Sequence, residues 1–210
     1  MSLTKTLGQF VADLSPNRLP EGAERIARLG FIDCIGTMIA GRREDCVRIM
    51  KQVLAPAEGP ATLTFGAEKS TAPEAAWING TAAHALDYDD VGLRGHPSTV
   101  LVPAILAEAE TLNASGADMI VAYVAGYETW AELFRRDSGL LHQKGWHPTG
   151  LYGAVAARSP RIRVPRAMSV PRTWCSCWTR WASRPASISI SSSRWPACPR
   201  TSSAIPCPAR

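Results

Sequence analysis

The stretch 79–103 gathers side chains suited to acid–base chemistry, set between two apolar helical runs. Asp87 and Asp90 are three residues apart, so on a helix they share one face while Asp89 points elsewhere. Glycines and a proline then break the helix, which places His96 on a turn just before the next helix. Carboxylates and an imidazole around such a corner form a pocket that can take up and release protons.

The same side chains also have a plainer interpretation. Aspartates that follow a helix commonly act as caps or solvated charges, and a histidine on a turn is commonly a surface residue. Spacing alone favours this plainer interpretation, because sequence separation does not distinguish a functional carboxylate from a structural one.

A second stretch with chemical potential is GWHPTG, residues 145–150. Its proline and glycines place His147 immediately before a helix predicted over 149–157. Backbone N–H groups at a helix start attract anions, so this imidazole lies beside an anion-binding end. The sequence has no phosphate-loop or dinucleotide-binding glycine pattern, and strands do not alternate with helices. These absences argue against the common nucleotide-binding folds.

The chain resembles the MmgE/PrpD family in four blocks that come in the family's order: NGTAAHALDYDD, GHPSTVLVPAILAEAE, GYE and GWHPTG. Members of this family include 2-methylcitrate dehydratase, cis-aconitate decarboxylase and iminodisuccinate epimerase. The resemblance covers residues 3–157. It implies an all-α fold, the N-terminal part of the family's helical domain, and a homodimer in the full-length proteins.

The resemblance also implies a chemistry. The family's substrates are small di- and tricarboxylic acids, and a proton is abstracted beside a carboxylate before loss of water or CO2, or before reprotonation on the other face. This needs a base, an acid and cations for the carboxylates, with no metal and no organic cofactor. By their positions in the family's motifs, Asp87, His96 and His147 are the candidate catalytic residues. Arg94 and Lys144 are the nearby cations that could bind substrate.

The sequence departs from the family's pattern in several places. The loop between Asp90 and His96 is about one residue shorter than usual, and Val91 stands where a threonine is common. The family's next pocket motif, a lysine in a TKPLHAG-like segment, is absent, as are a later tyrosine and the lid domain. The expectation is therefore a truncated family member that is inactive alone.

Residues 158–210 differ in composition from the rest of the chain. Residues 1–157 hold 13 Lys and Arg against 18 Asp and Glu, a net charge of −5, whereas 158–210 hold 10 Arg and no Lys, Asp or Glu, a net charge of +10. The second segment also holds four of the seven Trp and four of the six Cys. This mixture is typical of a GC-rich gene read out of frame, and it predicts an aberrant, unstructured tail.

An alternative function follows from the charge of this tail. Basic tails rich in Pro and Ser can bind nucleic acid, so the chain could be a non-catalytic helical module whose tail binds nucleic acid or an acidic partner. Such tails usually contain Lys and Gly and few Trp or Cys, which disfavours nucleic acid. If the gene's shifted frame encodes a helical continuation containing Lys and Leu, the alternative fails.

Hydrophobic periodicity predicts about six or seven helices in residues 1–157. One covers 21–40, with Gly41 as its C-cap and a deeply buried C-terminal end. The helical segments 100–112 and 119–134 are expected to leave apolar faces exposed, because the helices that should cover them are missing.

The location of the protein is predicted from what its sequence lacks. No apolar run is long enough to span a bilayer, and the first residues are too polar for a signal peptide. Cys34 and Cys46 have no metal-ligand spacing and are expected to be reduced thiols. A cytoplasmic protein is therefore predicted.

Overall fold

The computed structural model describes residues 2–137 and 141–158 of the chain. Within them the fold is all-α, as predicted, with seven α-helices, one 3-10 turn and one two-stranded hairpin. The helices are α1 (Leu3–Asp13), α2 (Ala23–Gly41), α3 (Asp45–Leu54), α4 (Ala72–His84), α5 (Pro97–Leu112), α6 (Gly116–Arg136) and α7 (Pro148–Ala156). The hairpin pairs β1 (Ala61–Thr62) with β2 (Lys69–Ser70) in antiparallel register. The predicted tail lies outside the described residues, apart from its first residue, Arg158.

Helices α2, α4 and α5 form the centre of the fold, with α6 and α7 packed against α5. Helix α4 is rich in alanine and glycine, so its neighbours can approach its backbone closely. A Cβ on Gly80 would lie only 3.3 Å from the carbonyl oxygen of Thr99 in α5. Small residues in α4 thus bring α5, whose first turn carries site residues, close to the end of α4.

The prediction that Gly41 caps α2 is wrong. Gly41 is the last residue of the helix, and the C-cap is Arg42 in a right-handed conformation. A Cβ on Gly41 would collide with the carbonyl of Ala82 in α4. The glycine is therefore required by the close packing of α2 on α4 and not by the geometry of a helix end.

The buried side chain of Asn79 joins α4 to the hairpin. Its amide oxygen accepts a hydrogen bond of 2.6 Å from the backbone N–H of Thr64, and its amide nitrogen donates one of 2.9 Å to the carbonyl of Thr62. An asparagine in the middle of a helix costs some helix propensity, but here it satisfies backbone groups that would otherwise be buried without partners.

Apolar exposure lies on different helices from those predicted. None of the large apolar side chains of α5 and α6 is exposed. The C-terminal end of α2, by contrast, was expected to be deeply buried. Only part of that end is buried, notably Cys34 and Met38. The exposed side chains of α2 form one stripe: Ile26 (59% exposed), Leu29 (52%), Ile32 (68%) and Ile39 (43%). Among the described residues, no helix has the length and apolar character needed to cross a membrane.

Candidate functional site

The loop after α4 carries three aspartates, and it is not helical. Helix α4 ends at His84, and Asp87 adopts a left-handed conformation with φ of 52°. Asp87 and Asp90 therefore do not share a helix face. The prediction that Asp89 points away from the site is also wrong, because its side chain is fully buried while that of Asp87 is 80% exposed. The interpretation of all three aspartates as caps or solvated charges thus fails for Asp89.

Asp89 lies between two histidines. Its Oδ1 accepts a hydrogen bond of 2.9 Å from Nδ1 of His84, and its Oδ2 lies 3.0 Å from Nδ1 of His96. The second contact is short but not aligned as a hydrogen bond, so both of its atoms are buried without a hydrogen-bond partner. The two imidazole centroids are 4.4 Å apart. One buried carboxylate therefore faces two imidazoles.

His84 is the residue of this cluster that the sequence prediction missed. It lies in the last turn of α4, within the run TAAHALD. A titratable side chain among alanines of a buried helix needs a polar partner, and an aspartate follows five residues later. That combination is the signal that could have identified it.

The charges of this cluster stabilise one another. The hydrogen bond that His84 donates to Asp89 raises the pKa of His84, although partial burial opposes the effect. Burial by itself raises the pKa of Asp89, but the hydrogen bond from His84 and the nearby imidazole charges outweigh it, so that this pKa falls below its ordinary value. An ionised Asp89 beside a protonated His84 is therefore the favoured state over a widened pH range.

His96 joins this cluster to the start of α7. As predicted, it lies directly before a helix, since it is the N-cap of α5 and Pro97 is the first helical residue. Its Nε2 lies 3.9 Å from Oδ1 of Asp87. Its backbone N–H donates a hydrogen bond of 3.2 Å to the Thr149 hydroxyl in the first turn of α7. The first turns of α5 and α7 are thus held side by side.

His147 is the N-cap of α7, again directly before a proline, as predicted. Partial desolvation lowers its pKa, and the positive charges of His84, His96 and His142 lower it further, while Asp87 opposes them. The structure therefore brings His147, His96 and Asp87 into one electrostatic neighbourhood at two helix starts.

The two cations predicted to bind substrate, Arg94 and Lys144, are not members of the cluster formed by His84, Asp87, Asp89 and His96. The Arg94 guanidinium stacks over the Phe134 ring, 5.6 Å from its centroid, and its charge also acts on the buried Tyr152. Lys144 is exposed in the turn that precedes α7.

Asp90 anchors the loop from the opposite side. Its Oδ2 accepts a hydrogen bond of 2.9 Å from the Ser98 hydroxyl, which also pairs with the Tyr123 hydroxyl at 2.7 Å. Its backbone N–H donates to the Asp33 carboxylate at 3.2 Å. Burial raises the pKa of Asp90, and the nearby Asp33 and Asp89 add to this effect. Asp33, whose carboxylate accepts this hydrogen bond, is exposed.

The cluster has donor atoms of the kinds that divalent cations use. One ligand atom from each of His84, Asp87, Asp89 and His96 lies within 4.8 Å of the others. The separations of 2.9 and 3.0 Å between imidazole nitrogen and carboxylate oxygen are those of direct contact, which suits proton sharing. That the site works without a metal remains a prediction.

Comparisons with known proteins agree with the four sequence blocks. Residues 5–159 match the family described as the MmgE/PrpD N-terminal domain. The cis-aconitate decarboxylase-like protein oryM of Aspergillus oryzae is 27% identical over 178 residues, which cover 78% of this chain and 36% of that protein. The cis-aconitate decarboxylase of Mus musculus is 26% identical over 171 residues, covering 75% of this chain and 35% of that protein. The chain thus spans about a third of the length of these curated relatives. Since the family match extends over most of its residues, the chain belongs to the MmgE/PrpD family.

Proposed function

We propose that this domain supplies proton-transfer groups to a lyase or isomerase that acts on small di- or tricarboxylic acids. The observation that carries the proposal is the pairing of two helix starts. His96 and His147 are the N-caps of α5 and α7, and the bond from His96 to Thr149 holds these ends together. Two imidazoles beside two sets of backbone N–H groups can exchange protons with a substrate whose carboxylates the helix starts attract.

The two histidines are proposed to have different roles, His147 as the base and His96 as the acid. Because its pKa is lowered, His147 is neutral at neutral pH and can accept a proton from the carbon beside a substrate carboxylate. In its imidazolium form His96, whose Nε2 lies 3.9 Å from Oδ1 of Asp87, is placed to deliver a proton from Nε2 to the leaving group or to the opposite face.

The substrate class follows from the relatives, which are named for decarboxylation of cis-aconitate. An unsaturated tricarboxylate is therefore the first substrate to test, and 2-methylcitrate dehydration is the second. The enzyme is proposed to work without an organic cofactor, as a cytoplasmic homodimer, and the present chain to be inactive alone. Arg94 and Lys144 are the proposed carboxylate ligands.

An absorbance assay for the unsaturated acid tests dehydration and decarboxylation, and polarimetry tests epimerisation, which forms no unsaturated acid. The 210-residue chain is compared with the protein obtained by shifting the gene's reading frame after residue 157, here called the frame-restored enzyme. The frame-restored enzyme should turn over at least one of 2-methylcitrate, cis-aconitate and iminodisuccinate, whereas the 210-residue chain should not. Failure of the frame-restored enzyme on all three acids would contradict the proposed substrate class.

A further inference from the structure

We propose that Asp89 holds the neutral forms of His84 and His96 in one tautomer, each with its proton on Nδ1 and a bare Nε2. His84 then becomes a further proton-transfer group of the site. The chemical role of the pair rests on the proposed function, whereas the tautomers follow from the cluster itself.

The tautomers follow from the hydrogen-bonding capacity of a carboxylate. An ionised carboxylate only accepts hydrogen bonds, so a ring nitrogen that faces it closely must carry a proton. The Nδ1 atoms of His84 and His96 lie 2.9 and 3.0 Å from the two oxygens of Asp89. In a neutral imidazole the other nitrogen, Nε2, is then unprotonated and can act as a base.

Burial gives Asp89 few alternatives to this arrangement. Its side chain has no exposed surface, and an isolated buried carboxylate is strongly unfavourable unless it is paired. Asp90 is engaged with Ser98, and Asp87 lies on the Nε2 side of His96. The Oδ2 of Asp89 and the Nδ1 of His96 are otherwise unsatisfied, and a small ring rotation would align them with each other.

The pair has a consequence for proton transfer. When a substrate C–H or O–H gives its proton to Nε2 of one ring, that ring becomes an imidazolium and its Nδ1 proton stays on the Asp89 side. With centroids 4.4 Å apart, a charge on one ring disfavours a second charge on the other. His147 also acts on His84 electrostatically, while Asp87 favours the charged form of His84. One ring therefore tends to be acid while its neighbour is base.

Long-range 1H–15N spectra of the 210-residue chain, with 15N-labelled imidazoles, test the tautomers without any substrate. The chain has four histidines, and His84→Gln, His96→Gln and His142→Gln assign the signals. His84 and His96 should each show a protonated Nδ1 and a bare Nε2 when neutral. The exposed His142 should show the mixture typical of a free imidazole.

Asp89→Asn and Asp87→Asn form the matched pair of variants. Asp89→Asn should release both rings toward the ordinary mixture and lower the pKa of His84. Asp87→Asn should leave both tautomers unchanged, because Asp87 faces Nε2 of His96 and not a Nδ1 atom. If Asp89→Asn does not fold, the wild-type spectrum decides the matter.

Two results would overturn the proposal. One is a wild-type His84 or His96 with its proton on Nε2 alone. The other is a pair of unprotonated Nδ1 atoms whose signals change when EDTA is added, which would mean that a cation and not a shared proton occupies the cluster. If the Nδ1–H tautomers are found but the frame-restored enzyme has no turnover, the proposed function is contradicted and the tautomer proposal stands.

Discussion

The backbone N–H of His96 donates a hydrogen bond of 3.2 Å to the hydroxyl of Thr149, and this bond ties the start of α5 to the start of α7. Thr149 is 6% exposed. Gly95, next to His96, has no room for a Cβ, which would lie 2.9 Å from the same hydroxyl and 2.7 Å from the Trp130 ring. The relative position of His96 and His147 therefore depends on a tightly packed contact between two helix ends.

Thr149→Val should disturb this contact while keeping the size of the side chain. It leaves the His96 N–H without its acceptor, which should cost about 1 kcal/mol of unfolding free energy. In the frame-restored enzyme, a small displacement of the two imidazoles should lower kcat by about tenfold or more. Thr149→Ser retains the hydroxyl and is the control. A loss in Thr149→Ser with none in Thr149→Val would show that the methyl group matters and the hydrogen bond does not.

Asp89→Asn should destabilise the protein in a pH-dependent way. The raised pKa of His84 contributes stability that is complete below its ordinary value of 6.5 and lost as pH rises through the folded value. The lowered pKa of Asp89 contributes stability that is present above 3.8 and lost as pH falls through the folded value. Asp89→Asn should therefore lose the most unfolding free energy between pH 3.8 and pH 6.5.

Urea unfolding at pH 5.5 and pH 9 measures this difference. At pH 5.5 we expect a loss of about 1–2 kcal/mol, a modest figure because His84 is partly solvated. The loss should shrink at pH 9, because His84 loses its proton as pH rises through its folded pKa. Asp87→Asn, whose carboxylate is largely exposed, should change stability by less than about 0.5 kcal/mol. A loss from Asp89→Asn that is equal at both pH values would show that the ion pair contributes nothing.

The positions of His96 and His147 could be predicted from sequence because local signals define them. Each histidine directly precedes a proline, and proline favours the first turn of a helix while restricting the residue before it. These signals act between neighbours in the chain, so they need no knowledge of packing. The predicted and observed starts of both helices agree within about a residue.

The role of Asp89 could not be predicted in this way. The assignment of Asp87 and Asp90 to one face assumed that the helix continues, but it ends at His84. Which aspartate of the loop is buried depends on where α5 lies, because His96 must be beside His84. The exposed stripe of α2 was missed for a related reason. Apolar periodicity identifies a helix face that can be buried, but it does not show whether another part of the chain packs against that face.

The exposed stripe of α2 gives a third stability prediction. Ile32 is 68% exposed and Ile78 in α4 is fully buried, so they form a matched pair. Ile78→Ala should cost about 2–5 kcal/mol through loss of packing, whereas Ile32→Ala should stay within about 0.5 kcal/mol. The 210-residue chain should bind a hydrophobic dye, and Ile32→Glu should reduce that binding. Undiminished dye binding by Ile32→Glu would place the dye-binding surface elsewhere.

The proposed role of His147 as a base predicts both a rate loss and a shifted pH profile. In the frame-restored enzyme, His147→Ala should lower kcat by about a hundredfold or more, as expected for a general acid or base. Because the pKa of His147 is lowered, the acid limb of the kcat/KM profile should lie below pH 6.5. The wild-type enzyme should therefore keep most of its activity at pH 6.5.

His142 provides the control for this assignment. Its ring lies 6.5 Å from that of His147, and its positive charge helps to keep His147 neutral. In His142→Ala the protonated form of His147 becomes easier to reach, so the acid limb should move to higher pH while kcat at pH 8 stays close to wild type. An acid limb that is unchanged in His142→Ala, together with a small effect of His147→Ala, would show that another group removes the proton. In that case the bare Nε2 of His84 is the next base to test, since it belongs to the same cluster and acts electrostatically on His147.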